Sequence, residues 1–330
     1  MTLPTLYYIG YLPPKTGGEL VNLQHVATLH QHGVRAVALV NPDAPADDGS
    51  ADAPLPLERL QPGRHFGPED VVVIPEYYRE ALHYFPTQPC RRVLHTQGPF
   101  LTFRGFDSID DLNAAGFSAG ISCSRFGAGL MQRMGATLDW HVVTPFVHPL
   151  FQPGANTKKR QIAYMPDKRP KEAPVVRALF RHRYPALADV PWVPIANVSR
   201  RVCAAIMAES AVFASFSYLE GLGLPPLEAM ASNCLVCGFN GHGGSDFATA
   251  DNGQWVQEGD HEGFADAVAM MLVRFDQGGE PRQQRLNAGR QTAARYSQER
   301  FARELLATWQ AILGDDWPVY LQAKRERQAR

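Results

Sequence analysis

Short apolar runs recur along this chain, separated by longer stretches whose apolar positions fall three and four residues apart. In the first half the runs LYYIG (6–10), RAVALV (35–40), VVVIP (71–75), RRVLHT (91–96), GISCS (120–124) and HVVTP (141–145) read as strands. Between the first two, Leu20, Leu23, Ala27 and His30 keep helical spacing and Gly33 closes the segment. A further helix is predicted over 125–134, ended by Gly135. Runs rich in Val and Ile that alternate with helices predict parallel strands covered on both faces, the doubly wound α/β arrangement. Residues 42–69 interrupt the rhythm with six prolines and read as a surface excursion.

The second half repeats the pattern. QIAYMP (161–166), WVPIAN (192–197), AVFASFS (211–217) and NCLVCGF (233–239) read as strands. Helices are predicted over 171–183, from a Ser199 cap to Glu209, and from Pro225-Pro226. FQPGANTKKR (151–160) has the polarity of a linker, so the expected organisation is 1–150, 151–313 and 314–330. The last two meet where a helix capped by Ser297 ends at Gly314, and a final helix is expected from Pro318.

Composition narrows the partners. Lys and Arg number 32 against 33 Asp and Glu, a net charge of −1. That balance argues against binding nucleic acid by bulk charge, because neutralising phosphates needs an excess of cations. No apolar run reaches the roughly 18–20 residues that span a bilayer, and the N-terminal stretch lacks the features of a signal peptide, so a cytoplasmic chain is expected. The basic tail carries four cations over its last seven residues. That is few for an anchor, which favours a solvated tail over peripheral contact at the inner face of a membrane. Five scattered cysteines argue against a disulfide scaffold. Cys234 and Cys237 form a CxxC inside an apolar run, with no second pair to complete a zinc site, so burial is expected and metal is not.

The most informative stretch is SFSYLEGLGLPPLEAMASNCLVCGF, 215–239. Gly221 and Gly223 let backbone N–H groups approach a ligand without a Cβ in the way. The prolines fit a first helical turn, and the helix N-terminus then offers free amides and the positive end of its dipole to an anion such as a diphosphate. Glu220 and Glu228 flank that place. Carboxylates cannot bind phosphate, but they accept hydrogen bonds from sugar hydroxyls, one on each side of a diphosphate. Gly241, Gly243 and Gly244 do not keep the spacing of a dinucleotide fingerprint, which sets aside a dehydrogenase.

EGLGLPPLEAMA resembles the signature of the retaining GT-B glycosyltransferases of family 4, the glycosyl transferases group 1, usually E-x-F-G-L-P-x-L-E-A-M-A; Leu222 stands where Phe is usual. The resemblance implies two Rossmann-like domains facing a cleft, with a C-terminal helix crossing back to the first domain. It implies that Glu220 contacts the donor sugar, that Glu228 binds the ribose, and that backbone amides near Gly223 and Leu224 hold the diphosphate. The Gly17-Gly18 segment is similar to the family's glycine-rich first loop, implying a donor-binding role. Lys168, Arg169 and Lys171 stand where the family keeps cations for the diphosphate, and the choice among them stays open. His95, at a strand end, matches a region where many members carry a His facing the reacting sugar. Gln97 and Gly98 are placed on the acceptor side. So are Gly243 and Gly244, from a loop similar to the family's G-G-x-x-E, with Asp246 in place of Glu.

The expected activity is retaining transfer of a sugar from a nucleotide diphosphate donor to the hydroxyl of a glycan or lipid-linked acceptor, in bacterial polysaccharide or glycan assembly. No Asp-x-Asp follows an apolar strand, so neither a metal nor another cofactor is expected. Two other readings use the same fold: an epimerase or phosphorylase acting on related substrates, and a non-catalytic protein that binds sugar nucleotides.

Overall fold

The chain divides into two units, Met1–Thr144 with Phe301–Arg330, and Pro145–Arg300. The structure, a computed structural model, describes residues 3–10, 17–43, 55–155 and 157–321.

In the first unit the apolar runs become β1 (Leu6–Ile9), β2 (Ala36–Val40), β3 (Leu57–Arg59), β4 (Val71–Pro75), β5 (Arg91–Thr96), β6 (Ala119–Ser122) and β7 (Trp140–Val142). They form one parallel sheet in the order β3-β2-β1-β4-β5-β6-β7. β1 and β4 are buried along their whole length, which is why they read as continuous apolar runs rather than alternating ones. The helices are α1 (Gly17–Gln31), α2 (Arg79–Tyr84), α3 (Thr102–Gly105), α4 (Ile109–Ala114) and α5 (Arg125–Arg133). Ser108 and Ser124 cap α4 and α5 by accepting from the amides of Asp111 and Gly127. The strand order reverses between β1 and β4, the place where doubly wound sheets open a ligand crevice at their carboxyl ends. The excursion at 42–69 contributes the edge strand β3; its residues 44–54 lie outside the described part.

The second unit contains β8 (Lys159–Tyr164), β9 (Trp192–Pro194), β10 (Ser210–Glu220), β11 (Leu235–His242) and β12 (Gln254–Trp255), parallel in the order β12-β11-β10-β8-β9. Its helices are α6 (Glu172–Arg183), α7 (Arg200–Glu209), α8 (Leu224–Ala231), α9 (His261–Gln277) and α10 (Gly279–Ala294). The core joins Ile162, Val212, Phe216 and Phe239 of the sheet to Val176 and Phe180 of α6 and Phe264, Val268 and Leu272 of α9. The reversal of order here falls between β8 and β10. Cys234 and Cys237 are buried as free thiols at the start of β11.

One long helix, α11 (Gln298–Leu313), changes the expected domain limits. Residues 301–313 group with the first unit, because Phe301, Leu305 and Trp309 are buried there. Trp309 donates its indole N–H to the Tyr8 hydroxyl at 2.9 Å, and the Phe301 ring meets His25 edge-on at 5.1 Å. No helix starts at Pro318, contrary to expectation. Gly314, at φ +53, ends α11, and Gly314–Tyr320 coils as a 3-10 turn with Pro318 inside it. Leu321 then pairs with Val34 in an isolated antiparallel bridge. The basic tail, 322–330, and its membrane question lie outside the described residues. No described helix is long and apolar enough to cross a membrane.

Candidate functional site

In the second unit the reversal point brings two opposite charges together. β8 runs into a 3-10 turn, Pro166–Lys168, and β10 ends at Glu220. Lys168 Nζ lies 2.7 Å from Glu220 Oε1, with the lysine half-exposed and the glutamate mostly buried. Glu220 reaches this position through a break in regular strand geometry. The β10–β11 register shifts between Ser217 and Glu220, and Leu219 adopts φ +46. Gly223, at φ +88, then turns the chain into α8. Of the first four amides of a helix, which lack intrahelical partners, two are lost to Pro225 and Pro226. Gly223 and Leu224 keep theirs, and no side chain caps this end. An anion placed there meets two N–H donors, the helix dipole and the Lys168 ammonium.

Glu228 stands on the first turn and a half of α8, partly exposed. Burial pushes its carboxyl up to about 7, while the charges of Arg200 and Lys168 pull it back down. The Gly243–Asp246 turn, which follows β11, begins against the Glu220–Gly221 backbone. A Cβ on Gly243 would stand 2.2 Å from Gly221 O, and one on Gly241 2.9 Å from Glu220 Cγ. Gly243 therefore lies beside the Glu220–Gly221 backbone and Gly244 beside Asn240 and Phe247, in the second unit, whereas Gln97 and Gly98 lie in the first.

The three cations separate cleanly. Lys168 faces Glu220. Lys171 is exposed at the N-terminal boundary of α6. Arg169 is 4% exposed, and every nitrogen of its guanidinium has a protein partner. Nε and Nη2 donate to Ser217 O at 3.1 and 3.0 Å, Nη1 to both Glu172 oxygens at 3.0 and 2.9 Å, and Nη2 to Glu258 Oε2 at 2.7 Å. With no N–H to spare, Arg169 does not fit the donor-binding role expected of it.

The first unit holds the other expected residues, at the carboxyl end of β5 and the start of α1. His95 is fully buried, and burial pushes it down to about 3, so it is neutral near pH 7. Its Nδ1 lies 2.7 Å from Asn22 Oδ1, which assigns the proton to Nδ1 and leaves Nε2 as a lone-pair acceptor with no partner among the described residues. Gln97 Nε2 donates to the same Asn22 oxygen at 2.9 Å. Gly17 opens α1 and is exposed, while a Cβ on Gly18 would stand 2.7 Å from Gln97 Oε1. Gly17 and Gly18 thus group with Gln97 and His95, in a different unit from Gly221, Gly223, Leu224 and Glu228.

Besides Asn22, sequence reasoning missed two residues. Glu76, directly after β4, is fully buried, and burial pushes its carboxyl up to about 7 against the backbone hydrogen bonds that hold it down. Oε1 accepts from the amides of Gly98 at 2.8 Å and Gln97 at 3.2 Å, while Oε2 has no partner among the described residues. A charged residue ending the run VVVIP was its visible signal. The second is Arg200, whose charge reaches Glu228 from the start of α7.

The family model of the glycosyl transferases group 1 matches residues 187–273, which hold Glu220, the α8 turn and Gly243. The chain is 30% identical over 283 residues to the alpha-1,6-glucosyltransferase of Actinobacillus pleuropneumoniae serotype 7 (strain AP76), spanning 83% of this chain and 84% of that protein. Among solved structures it is similar to Anabaena Alr3699/HepE in complex with UDP, at TM-score 0.69 and 12% identity, over 93% of this chain and all of that one (100%). It is also similar to sucrose-phosphate synthase from Thermosynechococcus elongatus, at TM-score 0.70 and 13% identity, over 94% and 99%. The fold of those structures, the family match and the curated relative agree: this chain belongs to the glycosyl transferases group 1, with the two parallel-sheet α/β domains of a GT-B glycosyltransferase.

Proposed function

We propose that this protein is a retaining, metal-independent glycosyltransferase of family 4 that moves glucose from a nucleoside diphosphate donor to a sugar hydroxyl during bacterial glycan assembly. The observation that carries this reading is the Lys168–Glu220 pair at the β8/β10 reversal, beside the uncapped start of α8. The name of the curated relative supports glucose and an α product. Nucleotide glucose donors hold their phosphate in the α position, so an α product keeps that configuration. The Anabaena structural neighbour, also solved in complex with UDP-glucose, supports the donor class.

In the reaction, the bond from the sugar C1 to the phosphate oxygen breaks, and both its electrons leave with the diphosphate. The acceptor oxygen bonds to C1 from the same face, and its proton passes to the departing phosphate oxygen. Lys168 and the Gly223 and Leu224 amides stabilise charge as it builds on that phosphate, the logic of an oxyanion hole. Glu220 accepts hydrogen bonds from the donor sugar and Glu228 from the ribose. Lys171, exposed nearby in sequence, is left to a secondary electrostatic role. In the first unit, the Nε2 lone pair of His95 is an acceptor suited to a hydroxyl, backed by Asn22 and Gln97, while Gly98 is fixed by Glu76.

The test is a transfer assay with UDP-glucose and a glucosyl acceptor, run with and without EDTA, the product's anomeric configuration read by NMR. An α-linked product at an unchanged rate in EDTA is expected. Lys168→Ala is expected to lower kcat about 10²-fold or more, with a smaller change in donor KM. A β-linked product overturns retention, loss of activity in EDTA overturns metal independence, and a wild-type rate in Lys168→Ala removes the site.

A further inference from the structure

Arg169 presents a puzzle that the proposed chemistry does not absorb. It adjoins Lys168 in the chain, carries the charge a phosphate needs, and is buried away from any ligand. What its partners have in common explains it. The β8–β10 ladder ends at the Tyr164–Ala214 pair, so three residues later the Ser217 carbonyl has no strand on that side to bond it. Arg169 supplies the missing donors with Nε and Nη2. Ser217 is also the last β10 residue in register with β11 before the break that releases Glu220. The guanidinium is sandwiched by the rings of Tyr218 and Phe239, 4.5 and 4.4 Å from its carbon, and tied outward to Glu172 and Glu258. Glu172 is itself braced by His261 Nε2 at 2.8 Å.

We infer that Arg169 is a positioning residue that clamps the end of β10 to the turn bearing Lys168, and so sets the register of the Lys168–Glu220 pair on which transfer depends. Its planar fork is what the task requires. Two nitrogens reach one carbonyl while the third holds a carboxylate, a geometry the single ammonium of lysine cannot reproduce. Because Lys168 is the preceding residue of the same turn, a backbone shift of that turn that takes the guanidinium off the Ser217 carbonyl also moves Lys168 relative to Glu220. This inference rests on the proposed function, in which that pair acts on the donor.

A double-mutant cycle separates positioning from simple bracing. Arg169→Lys is expected to lower kcat about 30-fold with donor KM within about threefold, and the same substitution in a Lys168→Met background to cost less than about threefold. Equal losses in both backgrounds mean that Arg169 acts only on stability, and overturn the inference. If Arg169→Lys does not fold, Glu258→Gln, which cuts one link at a half-exposed partner, carries the same cycle with an expected loss of about fivefold and an unchanged Tm. Failure of the function reading is a separate result, since the wild type then transfers nothing. In that case a crystal structure of Glu258→Gln or Arg169→Lys decides. The inference expects Lys168 Nζ and Glu220 Oε1 to part beyond about 4 Å, and a separation still near 2.7 Å sinks it.

Discussion

The carboxyl ends of the two sheets carry opposite kinds of polar group. In the second unit Lys168 and Glu220 stand there, with Glu228 just beyond on α8, charged or readily charged, each keeping some access to water. In the first unit Glu76 and His95 stand there, with Asn22 on α1 beside them, all sealed from solvent, with burial holding His95 neutral. Both sheets are parallel, and in both the polar cluster gathers where strand order reverses. What differs is the ligand each can handle. A group that offsets the charge of a diphosphate has to keep its own charge, and a full charge survives only where solvent or a close counter-ion remains. A group that gives or takes one hydrogen bond can be dehydrated, and gains in direction and rigidity from it.

The first way to break this comparison is to disturb the backbone of the charged site without touching its charges. A Cβ at Gly243 would meet the Gly221 carbonyl oxygen at 2.2 Å and the Glu220 carbonyl oxygen at 2.6 Å. Both are main-chain atoms, so the loop itself has to shift. Gly243→Ala is expected to reduce kcat/KM by about 10²-fold, the scale set by an ångström-sized misplacement of reacting groups. Steady-state kinetics on the purified variant provide the check. A loss under about threefold would show that the Glu220–Gly221 backbone is not held where catalysis needs it.

A second contrast uses two carboxyls that burial pushes to the same point, about 7, from opposite sides of the comparison. Glu76 is fully sealed and Glu228 partly open. For Glu76 the folded value lies above the ordinary 4.5. Its neutral form therefore contributes stability that is full below about 4.5 and lost as pH rises through about 7. Glu76→Gln never ionises, so its Tm relative to wild type is expected to climb by about 2–4 °C between pH 5 and pH 8. A pH-independent difference would mean that the carboxyl ionises as freely folded as unfolded. For Glu228 the readout is binding, because a ribose hydroxyl donates best to the ionised form. UDP affinity is expected to tighten by up to about tenfold from pH 6 to pH 8 in the wild type and to lose that component in Glu228→Gln. Calorimetric titration of both proteins subtracts the nucleotide's own ionisation, and parallel pH profiles would remove Glu228 from the site.

How much of this was legible in sequence obeys the same division. Buried parallel strands announce themselves as unbroken apolar runs, so β1, β4 and β11 were readable. The α8 turn was readable too, because glycine, proline and glutamate each have a local physical reason to stand where they do. β3 was not, since the three residues of Leu57–Arg59 are too few to show alternation. The strand read from sequence stops at Ser217, yet β10 continues through the exposed Tyr218 and Leu219 to Glu220, because the register break with β11 that carries it there is not a local sequence signal. Arg169 could not be told from Lys168 and Lys171. Three nearby cations look alike until Tyr218, Phe239 and Glu258, 49 to 89 residues away, select one for burial. The strand-end position of His95 is visible in sequence, but its neutrality comes from burial in the folded unit and its tautomer from Asn22, 73 residues earlier.

The smallest expected effect sharpens the comparison by repeating the glycine substitution in the sealed cluster. A Cβ at Gly18 would come within 2.7 Å of Gln97 Oε1, nominally also a clash. Here the obstacle is the far end of a flexible side chain, which can swing aside where the Gly221 carbonyl cannot. The new methyl group also sits in the first turn of α1, where replacing glycine recovers about 0.5–1 kcal/mol of backbone entropy. Gly18→Ala is therefore expected to leave stability within about 0.5 kcal/mol of wild type. The cost falls on the Gln97–Asn22 hydrogen bond, which the swing disrupts. Asn22 also holds the Nδ1 proton of His95, so the loss is expected in acceptor KM, about threefold, with donor KM unchanged. Denaturant melts and two-substrate kinetics on one preparation measure both. A donor-side loss instead would tie Gly18 to the charged site and erase the separation between the two clusters.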